Sequence, residues 1–90
     1  MSKTIWKYPL RVVDSQSVVM PRDAEILCVN VQGESLCVWA EVVPEGCREH
    51  RHFEIRDTGQ PIDPAMDKKY LGTGFLADGL VVHVFEKTRI

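Results

Sequence analysis

The sequence predicts an all-β domain: a small antiparallel sandwich or barrel of about six to seven short strands. Three observations carry this. Apolar residues recur at every second position in several segments, β-branched residues are frequent in those segments, and Gly, Asp and Pro punctuate them. Nowhere does an apolar 3.6-residue period last three turns. Ninety residues make one domain, 1–90. A chain this short buries roughly 60–65% of the surface it exposes when unfolded, so its stability margin is thin.

The elements follow in order. "TIWKYPL" (4–10) is the first strand, with Trp6 and Tyr8 on one face and Ile5 and Lys7 on the other. Pro9 places it at an edge or a bend. "SVVMP" (17–21) is a short strand ended by Pro21. In "AEILCVNVQ" (24–32), Leu27, Val29 and Val31 share one face, and Ile26, Cys28 and Asn30 the other. "SLCVWAEVV" (35–43) sets Leu36, Val38, Ala40 and Val42 against Cys37, Trp39, Glu41 and Val43. Gln32-Gly33-Glu34 joins these two as a hairpin. Both its faces are rather apolar, so its expected place is central. "RHFEIR" (51–56) points Phe53 and Ile55 inward and His52, Glu54 and Arg56 outward, as an edge strand with a solvated face. "YLGTGFL" (70–76) turns through Ala77-Asp78-Gly79 into "LVVHVFE" (80–86), where Leu80, Val82 and Val84 oppose Val81, His83 and Phe85. "DPAMDKKY" (63–70) has the form of a helix start, with Asp63 as N-cap and Pro64 at the first helical position, and is allowed at most one short helical turn.

Composition narrows the function classes. Hydrophobic content is 44% and charged content 27%, ordinary for a folded domain and not for a disordered one. The net charge is −2, and no basic run exceeds Lys68-Lys69, so duplex nucleic acid is not an expected partner. No segment approaches the roughly 20 apolar residues that span a membrane. Lys7, Pro9 and Arg11 interrupt any signal-peptide core. The expectation is a cytoplasmic chain with no membrane partner. Cys28, Cys37 and Cys47 are odd in number and form no C-x-x-C pair, so they read as buried small hydrophobes; Cys47, beside Arg48 and His50, is the one with a base in reach.

Few residue sets carry chemistry. His50 and His52 point to one side of a strand, with Glu54 continuing that face, but a zinc site needs three or four ligands and no second H-x-H exists. No Ser-His-Asp order, nucleophile elbow or metalloprotease motif appears. Asp57-Thr58-Gly59 matches the aspartic-protease triplet but reads more simply as an Asx-type turn. Turns at "DTGQP" (57–61) and "GTG" (72–74) are able to offer backbone N–H groups to an anion. Trp and Tyr favour half-exposed settings. The candidate ligand-binding set is therefore Trp6, Tyr8, Trp39, Thr58, Gly59, Gly72 and Thr73, with no catalytic residue, no metal site and no cofactor. The two-faced apolar strands 26–31 and 36–43 also lead us to expect a homo-oligomer.

The ordered set "KTIWKYPL", "VVMPRDAEILCVNVQ", "LCVWAEV", "DTGQPID" and "YLGTGFLADGLVVHVFE" resembles a family of small proteins encoded by tailed phages and prophages. The resemblance covers almost the whole chain. It implies a phage-encoded accessory protein in the host cytoplasm, and it supplies no site residues. Absent catalytic motifs, the expected function is non-catalytic binding. The partner is a host protein, such as a defence component, or a small anionic, nucleotide-like signal. The alternatives are a virion structural or assembly protein and a small metal-dependent enzyme centred on His50 and His52.

Overall fold

The computed structural model describes residues 1–89. Alternation of apolar and polar residues produces seven strands: β1 (Thr4–Leu10), β2 (Ser15–Pro21), β3 (Glu25–Gln32), β4 (Ser35–Val42), β5 (Arg48–Asp57), β6 (Lys68–Phe75) and β7 (Val81–Lys87). They form a three-stranded sheet, β1-β4-β3, and a four-stranded sheet, β2-β5-β7-β6. Every pairing is antiparallel. The all-β expectation holds, and no helix forms among the described residues. Asp63 caps a single turn only: its carboxylate accepts from the Ala65 N–H at 2.9 Å and its carbonyl from the Met66 N–H at 3.1 Å.

The two sheets bury their inner faces against each other. β4 supplies Leu36, Val38, Ala40 and Val42; β5 supplies Phe53 and Ile55; β7 supplies Val82 and Val84. Leu10 and Met20 complete the core from β1 and β2. These inward sets are the alternate positions of their strands, as the period of two requires.

Of the cysteines expected to be buried, Cys37 is buried but Cys28 is exposed, and three expectations about the strands need correction. A bulge between Ile26 and Cys28 breaks the period in β3. Ile26, not Leu27, joins Val29 and Val31 against the core, and Leu27 is left exposed. The β3–β4 hairpin is central only at β4, because β3 is an edge of its sheet. β5, expected at an edge, lies between β2 and β7.

The sheets approach most closely where β6 faces β3. Gly72 and Gly74 permit this. A β-carbon on Gly72 would lie 2.9 Å from the Val29 Cβ, and one on Gly74 would lie 2.7 Å from the Leu36 Cδ1. At the far side the larger Trp6 and Tyr8 of β1 fill the space, with the Arg48 guanidinium 5.7 Å from the centre of the Trp6 ring. At one end of the interior, Arg51 of β5 forms a forked ion pair with Glu86 of β7 and donates to the Ala24 carbonyl at 2.8 Å. That last bond ties the four-stranded sheet to the turn that leads into β3.

Candidate functional site

Strand pairing brings distant residues together on the outer face of β6 and β7. Thr73 stands opposite His83, and Tyr70 opposite Phe85. The β5–β6 connection leaves β5 at Asp57, and the Thr58 N–H donates to the Val81 carbonyl at 3.2 Å. This fixes Thr58 beside β7. The result is a continuous polar chain. Thr58 Oγ1 lies 2.7 Å from His83 Nε2, His83 Nδ1 lies 2.9 Å from Thr73 Oγ1, and Thr73 Oγ1 lies 2.5 Å from the Tyr70 hydroxyl.

The proton count of this chain is informative. A neutral imidazole has one N–H and one acceptor nitrogen. The chain therefore runs in one direction or the other, and each direction leaves one terminal hydroxyl with its proton unused. That free donor sits at Thr58 or at Tyr70, both exposed. Linked hydrogen bonds polarise one another, which strengthens the terminal donor.

An aromatic patch adjoins the polar chain. Tyr70 is 56% exposed and Phe75 72% exposed. The Tyr70 and Phe85 ring centres are 5.6 Å apart, tilted at 60°. The Lys68 ammonium sits 5.8 Å from the Phe85 ring centre, and Lys87 is opposite Lys68 in register. Glu54, beside Phe85 in register, is buried and held by Arg56 at 2.9 Å.

Of the residues expected to bind ligand, the structure unites Thr58, Gly59 and Thr73 here. The backbone cradle does not form. The N–H groups of Asp57, Thr58 and Gln60 all donate within the protein, to Gln60 Oε1, the Val81 carbonyl and the Asp57 carbonyl. Gly59 provides the turn, at φ 89°. "GTG" is strand, not turn: Gly72 faces β3 and is taken up by packing, while Thr73 points outward. Trp6, Tyr8 and Trp39 are half-buried and lie on the other sheet. Trp39 is on its outer face, where Lys7 reaches from β1 to Gln32 of β3 at 2.7 Å. Sequence reasoning missed Tyr70, Phe75 and Phe85. The alternation of one strand shows which side chains share a face, but not which face the second sheet covers.

Tyr8 has a different consequence. Its hydroxyl is buried with no hydrogen-bond partner among the described residues. Burial raises the phenol above its usual range, opposed by the nearby Arg48 charge. Because the folded-state value is the higher one, the unfolded chain ionises first as pH rises. Stability from this group is complete below about pH 10 and falls as pH climbs through the tyrosine range. Tyr8→Phe removes both the unpartnered hydroxyl and that alkaline loss. Thermal melts should show the variant as stable as the parent or more so at neutral pH, with its advantage growing above about pH 10. A clear loss at neutral pH would mean that the hydroxyl has a partner.

The other regions are less organised. His50 and His52 share the outer face of β5, opposite Val19 and Ser17. Among the described residues no group of three or more His, Cys, Asp or Glu side chains is placed to hold a metal ion. An open cleft of about 570 Å³ at the far side mixes Lys3 and Arg22 with Asp23, Glu25 and Glu41, and also contains the exposed Cys47. Among the described residues no helix is long and apolar enough to cross a membrane.

Fold and surface together define a small two-sheet β domain with an exposed aromatic face beside a threonine–histidine–threonine–tyrosine chain. Within that class the chain belongs to the family described as a domain of unknown function (DUF7352), whose model matches residues 1–90. No curated protein and no solved structure matches it.

Proposed function

We propose that this is a non-catalytic binding domain that takes a small anionic, nucleotide-like ligand on the outer face of β6 and β7. One observation carries the reading: the exposed Tyr70 and the half-buried Phe85 form an aromatic pair with Lys68 and Lys87 at its edge. A base stacks on aromatic rings whatever its identity. A phosphate pairs with the ammonium groups, and the terminal hydroxyl of the polar chain donates to the ligand's oxygens. The polar chain contains no carboxylate to orient His83 as a base, which favours binding over catalysis. The resemblance to small tailed-phage proteins supports a phage-encoded protein working in the host cytoplasm. There, sequestering a signal nucleotide would blunt a host defence. The reading needs no second copy of the chain.

Calorimetric titration with nucleoside 5′-monophosphates tests this. The parent protein is expected to bind, and Tyr70→Ala to bind about tenfold more weakly, the loss expected for one stacking ring. Tyr70 is exposed, so the variant should keep its melting temperature. Equal binding by parent and variant would remove Tyr70 from the site. No nucleotide binding at all would leave a host protein as the partner of the same face.

A further inference from the structure

We infer that this face takes one single strand of nucleic acid laid along its rows, with Phe75 holding a base further along the strand than the one on Tyr70. The inference rests on the nucleotide-binding reading and extends it. Four rows cross β6 and β7 on the outer side: Phe75 with Val81, Thr73 with His83, Tyr70 with Phe85, and Lys68 with Lys87. On β7 adjacent rows are two residues apart, about 7 Å, while on β6 the bulge between Tyr70 and Gly72 sets Thr73 and Tyr70 three residues apart. Phe75 and Tyr70 therefore stand about 14 Å apart, too far for one base to cover both.

A single nucleotide on Tyr70, Phe85 and Lys68 leaves Phe75 unused. Yet Phe75 is the more exposed ring, at 72%. It is aligned with the other aromatic positions, and His83 lies between the two ends. Bases stacked in a duplex are about 3.4 Å apart and hide their faces. An extended single strand opens that spacing and frees the faces for protein rings. The row spacing suits the second geometry and not the first.

The charge pattern agrees. The chain as a whole is negative, at −2. At this end of the face, however, Lys68 and Lys87 have no carboxylate in ion-pair range among the described residues. Arg56 neutralises Glu54, the carboxylate beside Phe85. Backbone phosphates find free ammonium groups beside the rings, and the contact is local and does not require a basic domain.

The test uses end-labelled oligothymidylate and oligouridylate of about eight nucleotides, a length within the range one such surface accommodates. Fluorescence anisotropy gives Kd for the intact protein, Tyr70→Ala and Phe75→Ala, with the matching 5′-monophosphates as competitors. At least one octamer is expected to bind tenfold or more tightly than its monophosphate. Phe75→Ala should weaken octamer binding on the order of tenfold and leave monophosphate binding unchanged, whereas Tyr70→Ala weakens both. Added salt should weaken octamer binding with a log–log slope of about 0.7 per contacted phosphate, hence between one and two for the two lysines. Octamers no tighter than monophosphates, or a Phe75→Ala variant with unchanged octamer affinity, would overturn the inference and leave the single-nucleotide site standing. Failure of both ligand types would overturn the inference and the reading beneath it.

Discussion

Glu86→Ala should lower stability by about 2–4 kcal/mol, among the largest single effects in this domain. Arg51 and Glu86 face the interior with side-chain exposures of 17% and 14%. The guanidinium is held by the two carboxylate oxygens and by the Ala24 carbonyl. Removing Glu86 leaves a mostly desolvated charge with the carbonyl and a marginal contact to Glu49 at 3.9 Å. The hydrogen bonding that Arg51 donates to the Glu86 carboxylate is the largest influence that raises the Arg51 pKa above its usual value, outweighing the burial that lowers it. The variant loses that support, but a guanidinium keeps its charge at any ordinary pH, so Arg51 cannot escape by losing its proton. For a domain of this size the loss corresponds to a fall of about 10–20 °C in melting temperature. The double variant Arg51→Leu/Glu86→Leu should recover most of it, because an apolar pair of similar bulk avoids the desolvation. If Glu86→Ala melts with the parent, the pair is solvated in solution and does not join β5 to β7 as described.

Gly72→Ala is expected to cost about 1–3 kcal/mol, and Gly74→Ala less. The difference is one of mobility. The added methyl at 72 meets the Val29 Cβ at 2.9 Å, an atom fixed to the β3 backbone, so the sheets must separate. The methyl at 74 meets the tip of Leu36, which a rotamer change moves aside, although Val31 at 3.3 Å limits the space. Alanine in a strand would otherwise gain roughly 0.5–1 kcal/mol over glycine, so a net loss reports the close approach directly. Equal melting of Gly72→Ala and the parent would mean that β6 and β3 are further apart. The prediction bears on function, because it assigns both glycines of "GTG" to packing and leaves only Thr73 for the surface.

These particulars show how far the sequence could be read. Strand identity was legible because Leu36, Val38, Ala40 and Val42, or Val82 and Val84, keep a strict period of two. The bulge was not, since one extra residue at Leu27 shifts the phase without changing composition. Glycines at 72 and 74 resemble turn residues on paper. Their purpose, closeness to Val29 and Leu36, depends on two strands, β3 and β4, some 40 residues earlier in the chain. Thr58 and Thr73 were recognisable as candidates one by one. Their link through His83 was not, because it joins three segments by pairing that no local pattern encodes. Trp6, Tyr8 and Trp39 drew notice by residue type, yet the most exposed rings belong to Phe75 and Tyr70. Which face of β6 and β7 remains open is decided by the position of the other sheet.

The most direct test of the central claim is an amide NMR spectrum followed as a nucleoside 5′-monophosphate is added. The account predicts saturable shifts concentrated at Thr58, Tyr70, Thr73, His83 and Phe85, with β1, β3 and β4 nearly unmoved. Shifts centred on Lys7 and Trp39, or on the cleft that holds Lys3 and Cys47, would contradict it, as would a spectrum that does not change.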